Sequence, residues 1–247
     1  MTTLLHVDQL VKRFGGLAAT DHATLQVKAG ECHALIGPNG AGKTTLIHQI
    51  SGALQPDSGC LLLGGEDITH RSMAARVRLG LVRSYQITNI FPKLSVLDNL
   101  ALACQAHDGN SFSFWRAASD EPRRRPRAQA VAERVGLAHR LAQAAGSLSH
   151  GEQRQLEVGL ALAAEPRLML LDEPMAGMGP DESERMVNLL QSLRGETTLL
   201  LIEHDMDAVF RLADTVSVLV AGRIIASGDA AHIQSHPDVK RAYLGDA

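Results

Sequence analysis

The stretch Cys32-His33-Ala34-Leu35-Ile36-Gly37-Pro38-Asn39-Gly40-Ala41-Gly42-Lys43-Thr44 decides how this chain folds. Its first five residues form a largely apolar run of strand length, and the glycine-rich segment that follows ends it. From Thr44 to Ala53 the pattern turns helical. Strand, glycine-rich turn and helix in that order match the phosphate-loop pattern: the glycines let successive backbone N–H groups close around an anion. In that pattern Lys43 meets the β/γ-phosphate oxygens and Thr44 ligates Mg²⁺. The helix beginning here adds the positive end of its dipole.

Working outward, the first third reads as strands: an apolar run at Leu4–Val7, alternation through Thr24-Leu25-Gln26-Val27, then a turn at Ala29-Gly30. From Gly151 onward helices alternate with short apolar strands. A helix runs to Ala164, a strand spans Leu168–Leu171, a helix Asp181–Leu193, a strand Thr198–Ile202, and a further helix starts at Asp205. Such alternation implies a mainly parallel sheet covered on both faces. The middle, from about Pro92 to Gly146, differs: alanine-rich periodic segments at Val96–Ala106 and Arg127–Val135 read as an inserted helical lobe. Between these helices Asp108–Pro126 carries Gly, Ser and Trp115 and leads into the run Pro122-Arg123-Arg124-Arg125-Pro126-Arg127, a run expected to be a solvated loop because prolines disfavour a basic helix. There is no internal repeat.

The bulk numbers agree with one large globular domain: 247 residues, 45% hydrophobic and 21% charged, with a formal net charge of −3. An acidic balance gives no support to nucleic-acid binding through phosphates. Cys32, Cys60 and Cys104 are odd in number, widely separated and without metal-ligand spacing, so they are expected to be reduced packing residues in a cytosolic protein. Neither a signal-peptide pattern nor a continuous apolar segment of about 18 residues is found, so a membrane role is expected to come through a partner.

Leu168-Met169-Leu170-Leu171-Asp172-Glu173 is an apolar strand ending in paired acids. That puts Asp172 at the strand's carboxyl end, where α/β sheets hold their ligands. Asp172 suits Mg²⁺, directly or through water, and Glu173 is the candidate general base for an attacking water.

Leu148-Ser149-His150-Gly151-Glu152-Gln153 then resembles the signature motif of ABC ATPases, lying just upstream of the strand with the paired acids. The resemblance covers essentially the whole chain. It implies a P-loop α/β core with a mainly parallel sheet, an N-terminal antiparallel β region and an inserted helical subdomain. The expected division is a nucleotide-binding core over 1–91 and 165–247 and a helical signature subdomain over 92–164. In the family the signature of one subunit caps the nucleotide on the phosphate loop of another, with two ATPs held in a head-to-tail dimer. Carried onto this chain, Asn39, Gly40, Ala41, Gly42, Lys43, Thr44 and Thr45 would hold ATP with Ser149, Gly151 and Glu152 of the opposing subunit. Phe14 would stack on adenine, although the residue alone could equally be core. Gln86, after Arg83-Ser84-Tyr85, resembles the glutamine that contacts Mg²⁺ or water, and His204 the histidine that hydrogen-bonds the γ-phosphate; singly, either could be a surface polar residue.

Arg83-Ser84-Tyr85-Gln86 with Ile90-Phe91, Met175-Ala176-Gly177-Met178, Ile202-Glu203-His204-Asp205-Met206 and Ala242-Tyr243-Leu244-Gly245 look like the ATPases of branched-chain amino acid importers. That likeness implies a cytoplasmic subunit, peripheral on the inner face of the cell membrane. Its partners would be ABC permease transmembrane subunits, a second identical or different ABC ATPase and, indirectly, a solute-binding protein outside the membrane. A soluble ABC ATPase serving cofactor assembly is the alternative; a phosphate-loop kinase or GTPase leaves Ser149–Gln153 and His204 unexplained. Two positions depart from the family pattern: His150 replaces the general signature's glycine, and Gly179 stands where many members carry Asp, so no catalytic role is expected of that loop.

Overall fold

The computed structural model describes residues 2–84, 90–107 and 121–244. Contacts gather the chain into two compact units, Met1–Leu81 with Arg167–Glu173 and Leu193–Ala247, and Val82–Pro166 with Pro174–Ser192.

The first unit contains two sheets. β1 (Thr3–Phe14), β2 (Leu17–Lys28), β4 (Ser58–Leu63) and β5 (Glu66–Asp67) make an antiparallel sheet in the order β2-β1-β4-β5. β3 (Cys32–Ile36), β7 (Leu168–Asp172), β8 (Thr198–Ile202), β9 (Thr215–Val220) and β10 (Arg223–Gly228) build the other, in the order β10-β9-β3-β8-β7 with β6 (Leu81–Arg83) at the far edge. Strands β3, β7, β8 and β9 pair in parallel, and β10 folds back antiparallel on β9.

Period-two alternation divides β3 between two apolar layers. Leu35 faces a cluster with Leu200, Ile202 and Leu219 of the parallel sheet and with Leu5, Val7, Leu25 and Leu61 of the antiparallel one. Ala34 and Ile36 face the opposite way, onto Val209, Ile233 and Val239. The helix α1 (Lys43–Ser51) buries Leu46, Ile47 and Ile50 in the first of these layers. At about 1.5–3 kcal/mol per fully buried side chain, these three pin the helix beneath the glycine-rich loop.

The far end of α1 is closed by a residue that composition alone would place outside. Arg76, on α2 (Met73–Arg78), is fully buried, and its guanidinium donates to the carbonyls of Gln49 at 2.6 Å, Ile50 at 2.7 Å and Thr69 at 2.9 Å. These carbonyls include ones a helix terminus leaves without partners. Burial pushes the Arg76 pKa down to about 10, so at neutral pH the cation remains at the negative end of the helix dipole.

The second unit holds α3 (Val96–His107), α4 (Glu121–Arg134), α5 (His150–Leu162) and α6 (Pro180–Ser192). The solvated loop expected of the basic run 122–127 is corrected here, because those residues lie within α4. Pro126, inside the helix, removes a single intrahelical bond, and Arg124 is buried, so the segment packs as helix instead of standing in solvent. Residues 108–120 lie outside the described part.

Residues 174–192 group with the helical unit and not with the nucleotide-binding core expected over 165–247. The reason is local: Glu182 of α6 hydrogen-bonds the start of α5, and His150 Nε2 lies 3.2 Å from the Ala176 carbonyl. The remaining helices, α7 (Met206–Leu212), α8 (Ala230–Ser235) and α9 (Pro237–Leu244), belong to the first unit.

Candidate functional site

The glycine-rich loop must pass very close to other backbone. A Cβ on Gly37 would lie 2.1 Å from the Leu219 carbonyl oxygen, and one on Gly42 2.1 Å from that of Ala19, where Gly42 also has φ +105°. Only glycine fits either position. The β9–β10 hairpin braces the loop from outside: Ala221 and Gly222 both take positive φ, the Gly222 N–H donates to the Ala41 carbonyl at 2.8 Å, and Asp21 N–H donates to the Gly222 carbonyl at 2.9 Å. Arg223 fixes the turn laterally through its ion pair with Asp21, 2.6 Å.

Gly42 is the N-cap of α1, no side chain caps the helix, and its first turn carries no acid. The N–H groups there are left for something negative. Above them opens a cleft of about 520 Å³ lined by Phe14, Leu17, Asn39, Gly40, Ala41, Gly42, Lys43, Thr44, Thr45, Glu173 and His204. The sequence-derived residues of the first unit other than Asp172 therefore line one cleft. Phe14 is 52% exposed and Leu17 68%, so Phe14 is not core; the two form an apolar lip.

Lys43 is buried and donates to the carbonyls of Gly37 at 2.6 Å and Pro38 at 3.1 Å. Burial holds its ammonium below the ordinary lysine value, opposed by the charges of Glu173 and Asp172. Asp172 ends β7, buried, and pairs in register with Ile202 of β8. One residue on, Glu173 takes φ +51°, a left-handed conformation disfavoured outside glycine, and its N–H donates to the Ile202 carbonyl at 2.9 Å. This turn brings the carboxylate to His204, whose Nε2 lies 2.9 Å from Glu173 Oε1. A carboxylate and an imidazole beside an anion-ready helix terminus can orient and deprotonate a water.

The chain matches the family model described as ABC transporter over residues 20–176. It belongs to the ABC transporter family. A second model, for branched-chain amino acid ATP-binding cassette transporters, matches residues 223–247 of this ABC ATPase. Similar proteins include the high-affinity branched-chain amino acid transport ATP-binding protein LivG of Escherichia coli, 37% identical over 254 residues, which span 99% of this chain and 98% of that one. BraF of Pseudomonas aeruginosa, named likewise, is 37% identical over 251 residues, again 99% and 98% of the two chains. Among solved structures, the ADP conformation of an ATP-binding cassette of an ABC transporter superposes with a TM-score of 0.86, 30% identity and full coverage of both chains. A nucleotide-free cassette gives 0.85 at 30% identity, covering 99% of this chain and 100% of that one.

The signature of this ABC ATPase opens α5 in the second unit. Ser149 is the N-cap, with a reciprocal capping box: its Oγ accepts from Glu152 N–H at 3.2 Å, while Glu152 Oε2 accepts from Ser149 N–H at 3.0 Å. Arg140 anchors the same carboxylate at 2.8 Å. Glu152 thus serves the cap here. Gln86 lies outside the described residues. Gly179 has open space where a Cβ would be, so nothing steric demands glycine there.

Sequence reasoning missed three residues near these sites. Glu182 sits on the signature; Arg76 plugs the end of α1; Tyr243, on α9, places its phenol against the Gly37 backbone N–H. Burial pushes the Tyr243 phenol up and the Gly37 contact draws it down, with burial the stronger. The ending Ala242-Tyr243-Leu244-Gly245 was a legible signal for a role, without saying what Tyr243 touches.

Among the described residues no helix is long and apolar enough to cross a membrane.

Proposed function

We propose that this ABC ATPase is the energising subunit of an importer for branched-chain amino acids or related small polar solutes, hydrolysing Mg-ATP in a nucleotide-sandwich dimer. The observation that carries the chemistry is the convergence of Lys43, Thr44, Glu173 and His204 on the cleft above the uncapped start of α1. Adenine stacks on Phe14, and the loop N–H groups with Lys43 hold the phosphates. Magnesium, when bound, neutralises phosphate charge; the exposed Thr44 hydroxyl, Asp172 and Gln86 are its residues. Glu173 accepts the proton of the attacking water, and His204 holds that carboxylate and the γ-phosphate in line. Ser149 and the Gly151 N–H of a second cassette, a copy of this chain or a related ATPase, close over the same phosphate.

The importer reading rests on the names of the relatives, the match over residues 223–247 and, in the helical unit, an exposed phenylalanine and a groove of mixed polarity. Phe91 is 57% exposed on the helical unit, held by paired hydrogen bonds to Asn99 at 2.8 and 3.1 Å. In the same unit Leu94, Leu102, Asp98 and Arg124 line a groove of about 280 Å³. A permease helix on the cytoplasmic side of the membrane fits such a face.

Purification of tagged Glu173→Gln protein with Mg-ATP from detergent-solubilised native cells tests the proposal. Polytopic permease subunits in the recovered complex support the importer. Recovery of soluble partners alone, with the protein dimeric and ATP-loaded, would leave the ATPase standing and favour the cofactor-assembly alternative.

A further inference from the structure

The signature donors of this chain already have an acceptor. Glu182 Oε1 receives the Ser149 hydroxyl at 3.1 Å and the Gly151 N–H at 3.2 Å, so two donors from the start of α5 converge on one carboxylate oxygen. The capping box does not provide this, because Ser149 Oγ uses an acceptor lone pair for Glu152 N–H and keeps its proton for Glu182. The fit is close: a Cβ on Gly151 would come within 2.6 Å of the Glu182 carboxyl carbon. Glycine at 151 therefore lets an anion reach the backbone N–H, and the anion present is a side chain of the same unit. Glu182 lies in the first turn of α6, where the helix dipole also favours negative charge, two residues after Pro180.

We propose that Glu182 is an internal ligand of the signature, occupying in a single cassette the two donors that the γ-phosphate of an opposing nucleotide takes when the dimer closes. The inference rests on the nucleotide-sandwich reading above and adds its regulation. A carboxylate and a γ-phosphate cannot share two donors, since like charges at hydrogen-bonding separation repel. Closure therefore exchanges one anion for another: Glu182 turns out to solvent, and Ser149 and Gly151 turn to phosphate. The Ser149 hydroxyl, with help from the Gly151 and Gly179 N–H groups, holds the Glu182 carboxyl below its ordinary range, so the competitor is charged at neutral pH. The exchange lowers the net gain of closing, and ADP, lacking the third phosphate, cannot drive it. A cassette with this device discriminates ATP from ADP at the second half of its site, not only at Lys43.

The test compares native protein with Glu182→Ala and Glu182→Gln. ATP-dependent dimerisation is read by analytical ultracentrifugation in the hydrolysis-blocked Glu173→Gln background, and loading of the single cassette by fluorescent mant-ADP. Removing the competing carboxylate should tighten the ATP dimer about tenfold, the scale of hydrogen bonds to a charged group. Mant-ADP affinity should stay within twofold. Glu182→Gln keeps the shape and the acceptor oxygen without the charge, so it should tighten the dimer less than Glu182→Ala, and it serves if the alanine variant melts early. Dimers weakened or unchanged in both variants, beside a normal parental dimer, would overturn the proposal alone and make Glu182 a support for the signature. If no ATP-dependent dimer forms in any protein although mant-ADP binds, the proposal and the sandwich reading fall together.

Discussion

Two helix N-termini of this molecule face opposite electrostatic fates. α1 begins at Gly42 with no side-chain cap and no acid in its first turn, under a cleft of about 520 Å³. α5 begins at Ser149 with a full capping box, an arginine on the capping glutamate and a second carboxylate on its remaining donors. Both ends attract anions for the same reason, unpaired N–H groups and the positive end of a dipole. The first is kept bare by glycines, and the acids that act on Lys43, Asp172 and Glu173, come from the end of β7, which β8 separates from β3. The second satisfies itself from its own unit. The difference teaches that a binding terminus is not simply a helix start; what decides is whether local side chains leave the donors open.

The largest effect should break the comparison on the α1 side. Glu173→Gln removes the proposed proton acceptor while keeping size and reach, so phosphate release should fall by about 10²–10⁴-fold with mant-ATP binding retained. Turnover near the parental rate would remove Glu173 from the chemistry. Gly42→Ala comes next: its methyl would meet the Ala19 carbonyl at 2.1 Å with φ +105°, and a loss of about 2–4 kcal/mol in urea unfolding is expected, together with loss of nucleotide binding.

On the α5 side, Ser149→Ala deletes the cap and should cost about 1 kcal/mol of stability while leaving mant-ADP affinity unchanged, a separation that sharpens the contrast between the two termini. A parallel fall in mant-ADP affinity would mean that the ends are coupled within one chain. The smallest effect is a control away from both. Burial pushes the Glu31 carboxyl up, but the His33 ring and the Lys28 N–H more than offset it, holding its pKa below the ordinary value of 4.5. Its folded pKa being depressed, Glu31 stabilises the fold above about pH 4.5 and that contribution is lost as pH falls through the lower folded value. Glu31→Gln should therefore lower the melting temperature at pH 7 and narrow the gap from the parent at pH 3. A gap that widens toward acid would refute the assignment.

Much of the fold was legible because its signals are local. Strand β8 falls on Thr198–Ile202 and β3 on Cys32–Ile36, as their apolar runs indicate, since both are buried throughout and need no partner to be recognised. The helix expected from Gly151 to Ala164 is α5, His150–Leu162. The basic segment at Pro122–Pro126 misled for the opposite reason. Proline and arginine argue against a helix only until the burial of Arg124 is counted, and that burial is not written in the segment itself.

The sequence by itself determined the identity of the loop at Gly37–Thr44, the acids at the end of β7 and their order along the chain, because each depends on residues adjacent to one another. Only the tertiary structure decided which distant groups meet. His204 reaches Glu173 across 31 positions because parallel pairing of β7 with β8 sets their ends side by side and a left-handed turn aims the glutamate. Arg76 closes α1, and Glu182 takes the donors at Ser149 and Gly151. These contacts are between side chains and backbone groups far apart in sequence, and hydrogen bonding depends on position in space, which no local pattern of residues records.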